Sequence, residues 1–225
     1  MSSRDPEKLQ EELKSIDFAG DAKLLAELRS EARETVDAQK STLNDIDTKA
    51  SKILRLNVLL IGVIVSALSI AAQSGSSTSA APSVEPFVNL YMKLGVASLV
   101  LSTALAAMTY TASELDVGLS STNLKNLLKA DFSPQETQEL LVKNYIVRIN
   151  FNRSTNIRNI PLITSTIVLV VAGIVFLALG IYEVTIGSVP WWLSGSTTVV
   201  ISGVVITSGV VTQTVRAIRD VAEWR

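Results

Sequence analysis

The chain has 225 residues, no cysteine, no histidine, and nearly balanced charge, with 20 Lys and Arg against 21 Asp and Glu. Without cysteine there can be no disulfide, thiol nucleophile or iron–sulfur ligand, and without histidine the commonest general base and metal ligand is missing. Net charge points to no nucleic-acid partner, whereas an apolar share of 48% directs attention to long hydrophobic runs.

Residues 4–52 read as helical. Asp5-Pro6-Glu7 is an N-cap followed by proline at the first helical position. Ala19-Gly20-Asp21 predicts a break, with Asp21 capping a second helix. Leu25, Leu28, Ala32, Thr35, Gln39, Thr42, Ile46, Ala50 and Ile53 then recur at steps of three and four, which approximates a heptad seam interrupted by Thr35, Gln39 and Thr42. Two readings fit this stripe: an amphipathic helix packed on the 113–159 segment, or a self-associating coiled coil that makes the chain a homo-oligomer.

Four apolar stretches follow, at 53–73, 88–112, 160–182 and 196–215. A helix rises about 1.5 Å per residue, so roughly 20 residues cover a hydrocarbon core of about 30 Å. Each stretch is therefore expected to cross a bilayer. The first begins some way into the chain after a charged segment, which predicts an uncleaved span rather than a signal peptide.

The connectors between the stretches differ in charge. Neither Lys nor Arg occurs in 73–87 or in 183–195. Lys49, Lys52 and Arg55 flank the start of the first stretch. Lys125, Lys129, Lys143, Arg148, Arg153 and Arg158 lie between the second and third, and Arg216, Arg219 and Arg225 follow the fourth. The positive-inside rule then puts both termini and the 113–159 segment in the cytoplasm of a multi-pass plasma-membrane protein. Tyr182, Trp191 and Trp192 fall where an outer aromatic belt would, and Trp224 near the inner face. The expected organisation is N-terminal helices (1–52), a first hairpin (53–112), a helical loop (113–159), a second hairpin (160–215) and a tail (216–225).

Within the 113–159 loop, Leu115, Leu119, Leu124, Leu127 and Leu128 suggest a short helix, and Asp131-Phe132 a turn. Ser133-Pro134-Gln135-Glu136 is a capping box with proline just inside the start. Leu140, Leu141, Tyr145 and Ile149, with Asn152 beyond them, then share a face. Arg148, Arg153 and Arg158 stand among Asn150, Asn152, Asn156 and Asn159 just before the third stretch. They read either as phosphate-facing topology signals or as contacts to an anionic lipid or ligand, since Arg pairs with phosphate in both cases.

No acid lies inside any stretch. Beyond Arg55 at the start of the first stretch, the single base, Lys93, is near enough to an end to snorkel, Pro161 sits at a start, and no Gly or Pro breaks a stretch at its centre. These features weigh against an ion or proton pathway. Small residues recur at packing intervals: Gly62, Ser66 and Ser69; Gly95, Ser98, Ser102 and Ala106; Thr166, Gly173 and Gly180; Gly195, Ser202 and Gly209. The fourth stretch, with Ser196, Thr197, Thr198, Ser202, Thr207, Ser208 and Thr212, is the most polar. No phosphate loop, metal-ligand pair or nucleophile constellation occurs, so neither an enzyme nor a cofactor is expected.

The segment Leu43-Asn44-Asp45-Ile46-Asp47-Thr48-Lys49-Ala50-Ser51-Lys52-Ile53-Leu54-Arg55-Leu56-Asn57 has an acid-x-Lys-Ala pattern entering a span. It resembles a juxtamembrane pattern of small prokaryotic and archaeal multi-span proteins, including the transmembrane effectors of Pycsar-type cyclic-nucleotide antiphage systems. The matching residues are Asp47, Lys49, Ala50 and Asn57. The resemblance implies an effector that damages the membrane on a nucleotide signal.

The expectation is thus an all-α integral membrane protein with four transmembrane helices and a small helical cytoplasmic layer. Its partners would be the bilayer and an unidentified cytoplasmic ligand or protein. The leading function is a non-enzymatic membrane-anchored sensor, effector or scaffold, extended by the resemblance to antiphage defence. The alternative is a small ion channel or transporter subunit.

Overall fold

The computed structural model describes residues 6–74, 87–111, 125 and 127–223, and every regular element among them is a helix. The helices are α1 (Pro6–Lys14), α2 (Ala22–Ser74), α3 (Leu90–Thr111), α4 (Pro134–Thr185), α5 (Trp191–Thr207) and α6 (Val210–Glu223). Asp5, the connector 75–86, Leu115, Leu119, Leu124, Trp224 and Arg225 lie outside the described residues. Three helices are long and apolar enough to cross a membrane, and the pair α5–α6 supplies a fourth if it counts as one span.

The predicted stops and starts have clear local causes. Asp21 Oδ1 accepts from the Leu24 amide at 2.7 Å, which satisfies one of the orphan donors at the start of α2. At the head of α4 the Ser133 amide donates to Glu136 Oε2 at 2.7 Å, and the Glu136 amide donates to Ser133 Oγ at 3.2 Å. These reciprocal bonds close the capping box. They hold the fully exposed Glu136 carboxyl below its ordinary value, chiefly through the bond from the Ser133 amide and then through the Ser133 side chain.

Two helices are much longer than the apolar stretches within them. α2 runs for 53 residues and α4 for 52. α2 meets no proline and no glycine before Gly62, so nothing stops it at the polar-to-apolar transition. In α4, Pro161 lies within the helix instead of at a helix start, and it removes one backbone donor without ending the element.

The chain divides into two compact units. The first comprises Met1–Asp45, Ser113–Asn159 and Val215–Arg225, and the second Ile46–Ala112 and Ile160–Thr214. In the first unit α1 buries Leu9 and Leu13, and α2 buries Leu25, Val36 and Leu43. This corrects the predicted seam. Thr35 and Thr42 are exposed, and their hydroxyls bond back to the carbonyls of Glu31 and Ala38 on their own helix. Leu28 is exposed as well. One residue further along turns the helix by about 100°, so Val36 and Leu43 take the inner positions and the polar interruption at the threonines disappears. Gln39 stays on this face. Its Nε2 donates to the Ile149 carbonyl of α4 at 3.1 Å, and Asn156 Nδ2 of α4 donates to the Gln39 carbonyl at 3.3 Å. The stripe thus packs on the 113–159 segment of the same chain. Lys143 Nζ adds a bond to the Ile16 carbonyl and pairs with Glu139, each at 2.6 Å.

In the second unit the core is built from seven-residue repeats. On α3, Met92, Gly95, Leu99, Ser102, Ala106 and Thr109 are buried, at alternating steps of three and four. On α4 the buried Ile163, Thr166, Val170, Gly173, Leu177 and Gly180 keep the same rhythm, with Pro161, Ala172 and Leu179 buried beside them. On α2, Ile46, Ala50 and Asn57 are buried, and Leu60 and Ile64 continue the pattern at the core of Met92, Leu99 and Leu177. A strict 3.5-residue period under-winds helices into left-handed, shallow crossings with interlocking side chains. Glycine sets the closest approach. A Cβ on Gly95 would lie 2.7 Å from Leu177 Cγ, and one on Gly180 would lie 2.9 Å from the Met92 backbone nitrogen.

The predicted unbroken fourth stretch, 196–215, is also corrected. The helix breaks after Thr207 and resumes at Val210 with a bend of 43°. Gly209 has φ +68°, a left-handed conformation that costs a side-chain-bearing residue energy and glycine little.

Candidate functional site

The second unit has an inverted distribution of polarity. Its outward surface carries Leu59, Val63, Val199 and Ile206, each at least 66% exposed. Its most completely buried side chains include Asn57, Ser102, Thr109 and Thr166. A water-soluble domain arranges these classes the other way round.

Three of the buried polar groups form one layer that ties three helices together. Asn57 Nδ2 of α2 donates to Ser102 Oγ of α3 at 3.0 Å. The Ser102 hydroxyl donates to the Thr166 carbonyl of α4 at 3.1 Å. The Thr166 hydroxyl donates to the Leu162 carbonyl at 2.8 Å. Each of the three residues holds a seam position, so the layer exists because the heptads of three helices are in register. Near the opposite end of α3, Asn89 does similar work. Its Oδ1 accepts from the Met92 amide at 2.8 Å and caps the helix, while its Nδ2 donates to the Gly180 carbonyl at 2.9 Å. Asn89 was missed from sequence, although an asparagine directly before an apolar helix is the standard N-cap signal.

The first unit also has a polar seam. Arg148, Asn152, Ser154, Asn156 and Asn159 of α4 are all buried. The Arg148 guanidinium lies 5.8 Å from the centre of the Tyr145 ring, in cation–π range. Arg153 and Arg158 are exposed. Five-residue steps turn a helix by about 140°, so the three arginines do not share a face, and the structure does not assemble them into one anion-binding cluster.

The juxtamembrane residues are similarly divided. Ala50 and Asn57 are fully buried, Asp47 is half-buried and Lys49 is exposed. Among the small residues, Gly173 and Gly180 sit against α3, where a Cβ on Gly173 would lie 3.0 Å from Leu99 Cδ2. Gly195 has open space where a Cβ would be, Ser202 is exposed, and Gly209 serves the helix break.

Amides, hydroxyls and backbone carbonyls can orient helices and fix register, but they offer no titrating acid or base. Among the described residues no group of three or more acidic side chains is placed to hold a metal ion. Two open apolar grooves flank α2 in the second unit. One of about 630 Å³ faces α3 and one of about 360 Å³ faces α4, and they share Ile64, Leu68, Phe87 and Met92.

No family model, curated protein or solved structure matches the chain.

Proposed function

We propose that this chain is a multi-span membrane protein with both termini in the cytoplasm. In this reading it acts without catalysis, as a sensor or effector whose cytoplasmic helices set the state of its membrane helices. The observation that carries the reading is that α2 and α4 each belong to both compact units without interruption. A partner or ligand that shifts either helix in the first unit acts on the same helix in the second. The inverted polarity of the second unit supports the membrane location, since lipid favours apolar surface and small or polar residues between helices. The lack of Lys and Arg in 73–87 and 183–195 supports the orientation.

The buried placement of Ala50 and Asn57 favours a packing role over ligand contact for the residues that carry the Pycsar resemblance. Signal reception would then lie elsewhere in the first unit, and membrane disturbance would remain the effector's output. The pore alternative has less support. The hydroxyls of Ser196, Thr198, Thr207 and Thr212 all bond to carbonyls of the preceding turn, so they present no open ring of donors.

Topology is tested with single cysteines, which are unambiguous in a chain that has none. Cys at Ser77 and Ser188 should react with an impermeant thiol reagent on intact cells, and Cys at Ser120 only after permeabilisation. The reverse pattern would refute the orientation. The sensor reading is tested by inserting Gly-Gly after Ser51, which should abolish any membrane depolarisation caused by expressing the chain and leave insertion intact. Undiminished depolarisation would show that α2 transmits nothing.

A further inference from the structure

α6 is the most strongly two-sided helix of the second half of the chain. Val211, Val215 and Ile218 follow at steps of four and three and are 60%, 43% and 64% exposed. Thr212 and Arg216 are exposed on a second side, with Arg219 exposed between them and the stripe, while Val210, Gln213 and Ala217, on a third side, are partly covered. The helix thus has one partly covered side and leaves its apolar stripe uncovered among the described residues.

α5, directly before it, is different. It has no Asp, Glu, Lys or Arg and buries none of its residues. Its 17 residues extend about 26 Å at about 1.5 Å per residue, close to a hydrocarbon core of roughly 27–30 Å. α5 is therefore long enough to cross alone, and the first charged residue after it is Arg216, within α6. Only Ser208 and Gly209 separate it from α6, which leaves at 43°.

We infer that α6 is an interfacial helix, docked on the lipid surface at the cytoplasmic end of α5, with Val211, Val215 and Ile218 inserted between headgroups and acyl chains. This rests on the membrane reading above. Continuity with α5 identifies the occupant: a stripe that begins at Val211, four residues past the end of a helix that buries none of its residues, meets the same surroundings as that helix. Arg219 lies about 40° round the helix from Val215, where its stem can cover apolar surface and its guanidinium can reach phosphate. The bend at Gly209 is what turns α6 away from the direction of α5. The fourth span is then α5 alone, and residues 210–219 report on the membrane surface instead of crossing it.

The test uses the full chain in vesicles of phosphatidylcholine and phosphatidylglycerol. Single spin-labelled cysteines are placed by Val211→Cys, Thr212→Cys, Val215→Cys, Arg216→Cys and Ile218→Cys, with Val199→Cys on α5 as control. Each label's collision rate is measured with oxygen, which concentrates in lipid, and with a neutral nickel chelate, which stays in water. The oxygen-to-nickel ratio should be several-fold higher at Val211, Val215 and Ile218 than at Thr212 and Arg216. A uniformly high ratio, meaning that α6 continues the span, would overturn the inference. So would low access to both reagents at the stripe, which would mean that protein, such as a second copy of this chain, covers it. A water-like Val199 would overturn the membrane reading itself, whereas a lipid-like Val199 with no periodicity along α6 would overturn this inference only.

Discussion

Asn57 Nδ2 and Ser102 Oγ lie 3.0 Å apart, and neither side chain retains any exposure to solvent. The bond joins α2 to α3 at one level of an otherwise apolar seam. A polar pair at such a position is weaker evidence for stability than for register, because a slipped heptad would leave both groups buried without partners.

The pair can be measured by a double-mutant cycle of Asn57→Ala and Ser102→Ala, with unfolding followed in mixed micelles. The expected coupling is about 0.6 kcal/mol and at most about 1.7 kcal/mol, the range found for interhelical hydrogen bonds in membrane proteins. A coupling indistinguishable from zero would mean that the bond contributes nothing in the folded bundle.

Glycine positions should divide sharply. Gly180→Ala places a Cβ 2.5 Å from Met92 Cγ and 2.9 Å from the Met92 backbone nitrogen, so the helices must move apart. Overpacking of this kind costs about 1–3 kcal/mol. Gly195→Ala meets open space and should stay within about 0.5 kcal/mol of the parent. Thermal unfolding in detergent compares the two, and equal effects would contradict the packing described for α3 and α4.

Sequence made the helices, the caps at Asp21 and Ser133 and the apolar stretches legible, because each depends on local chemistry. The division of the small residues was not legible. Gly173-Gly180 and Gly195-Ser202-Gly209 share a seven-residue spacing, yet only the first pair faces another helix, and spacing says nothing about what lies opposite. The buried layer was hidden for a related reason. Asn57, Ser102 and Thr166 each stood out in a different context, and only the relative register of three helices brings them together. Gln39 looked like an interruption because an amide is polar. Its role is to bridge to the backbone of α4.

The corrected seam on α2 yields a paired prediction. Leu43 is 2% exposed, so Leu43→Ala should cost about 2–5 kcal/mol through lost burial and the cavity left behind. Thr42→Ala, its exposed neighbour, removes a hydroxyl bonded within its own helix and an exposed methyl, and should change stability by less than about 0.5 kcal/mol. Chemical denaturation of both variants decides the matter. A larger loss at Thr42 than at Leu43 would put the threonines, and not Val36 and Leu43, in the seam.

The capping box of α4 should make the start of that helix sensitive to acid. The Ser133 amide and side chain hold the Glu136 carboxyl below its ordinary value, so the charged form is favoured in the folded state. A depressed carboxyl stabilises its helix above its unfolded pKa, and that contribution is lost as pH falls through the lower, folded value. Amide exchange at Ser133 should therefore accelerate on acidification below the ordinary glutamate range, beyond the intrinsic pH dependence of exchange. Glu136→Gln keeps the shape and removes the titration, so in this variant the acid-dependent component should vanish while Thr137, whose amide bonds to the Ser133 carbonyl at 3.0 Å, stays protected. An unchanged acid response in the variant would place the titrating group elsewhere and leave the box without a role in the pH dependence of α4.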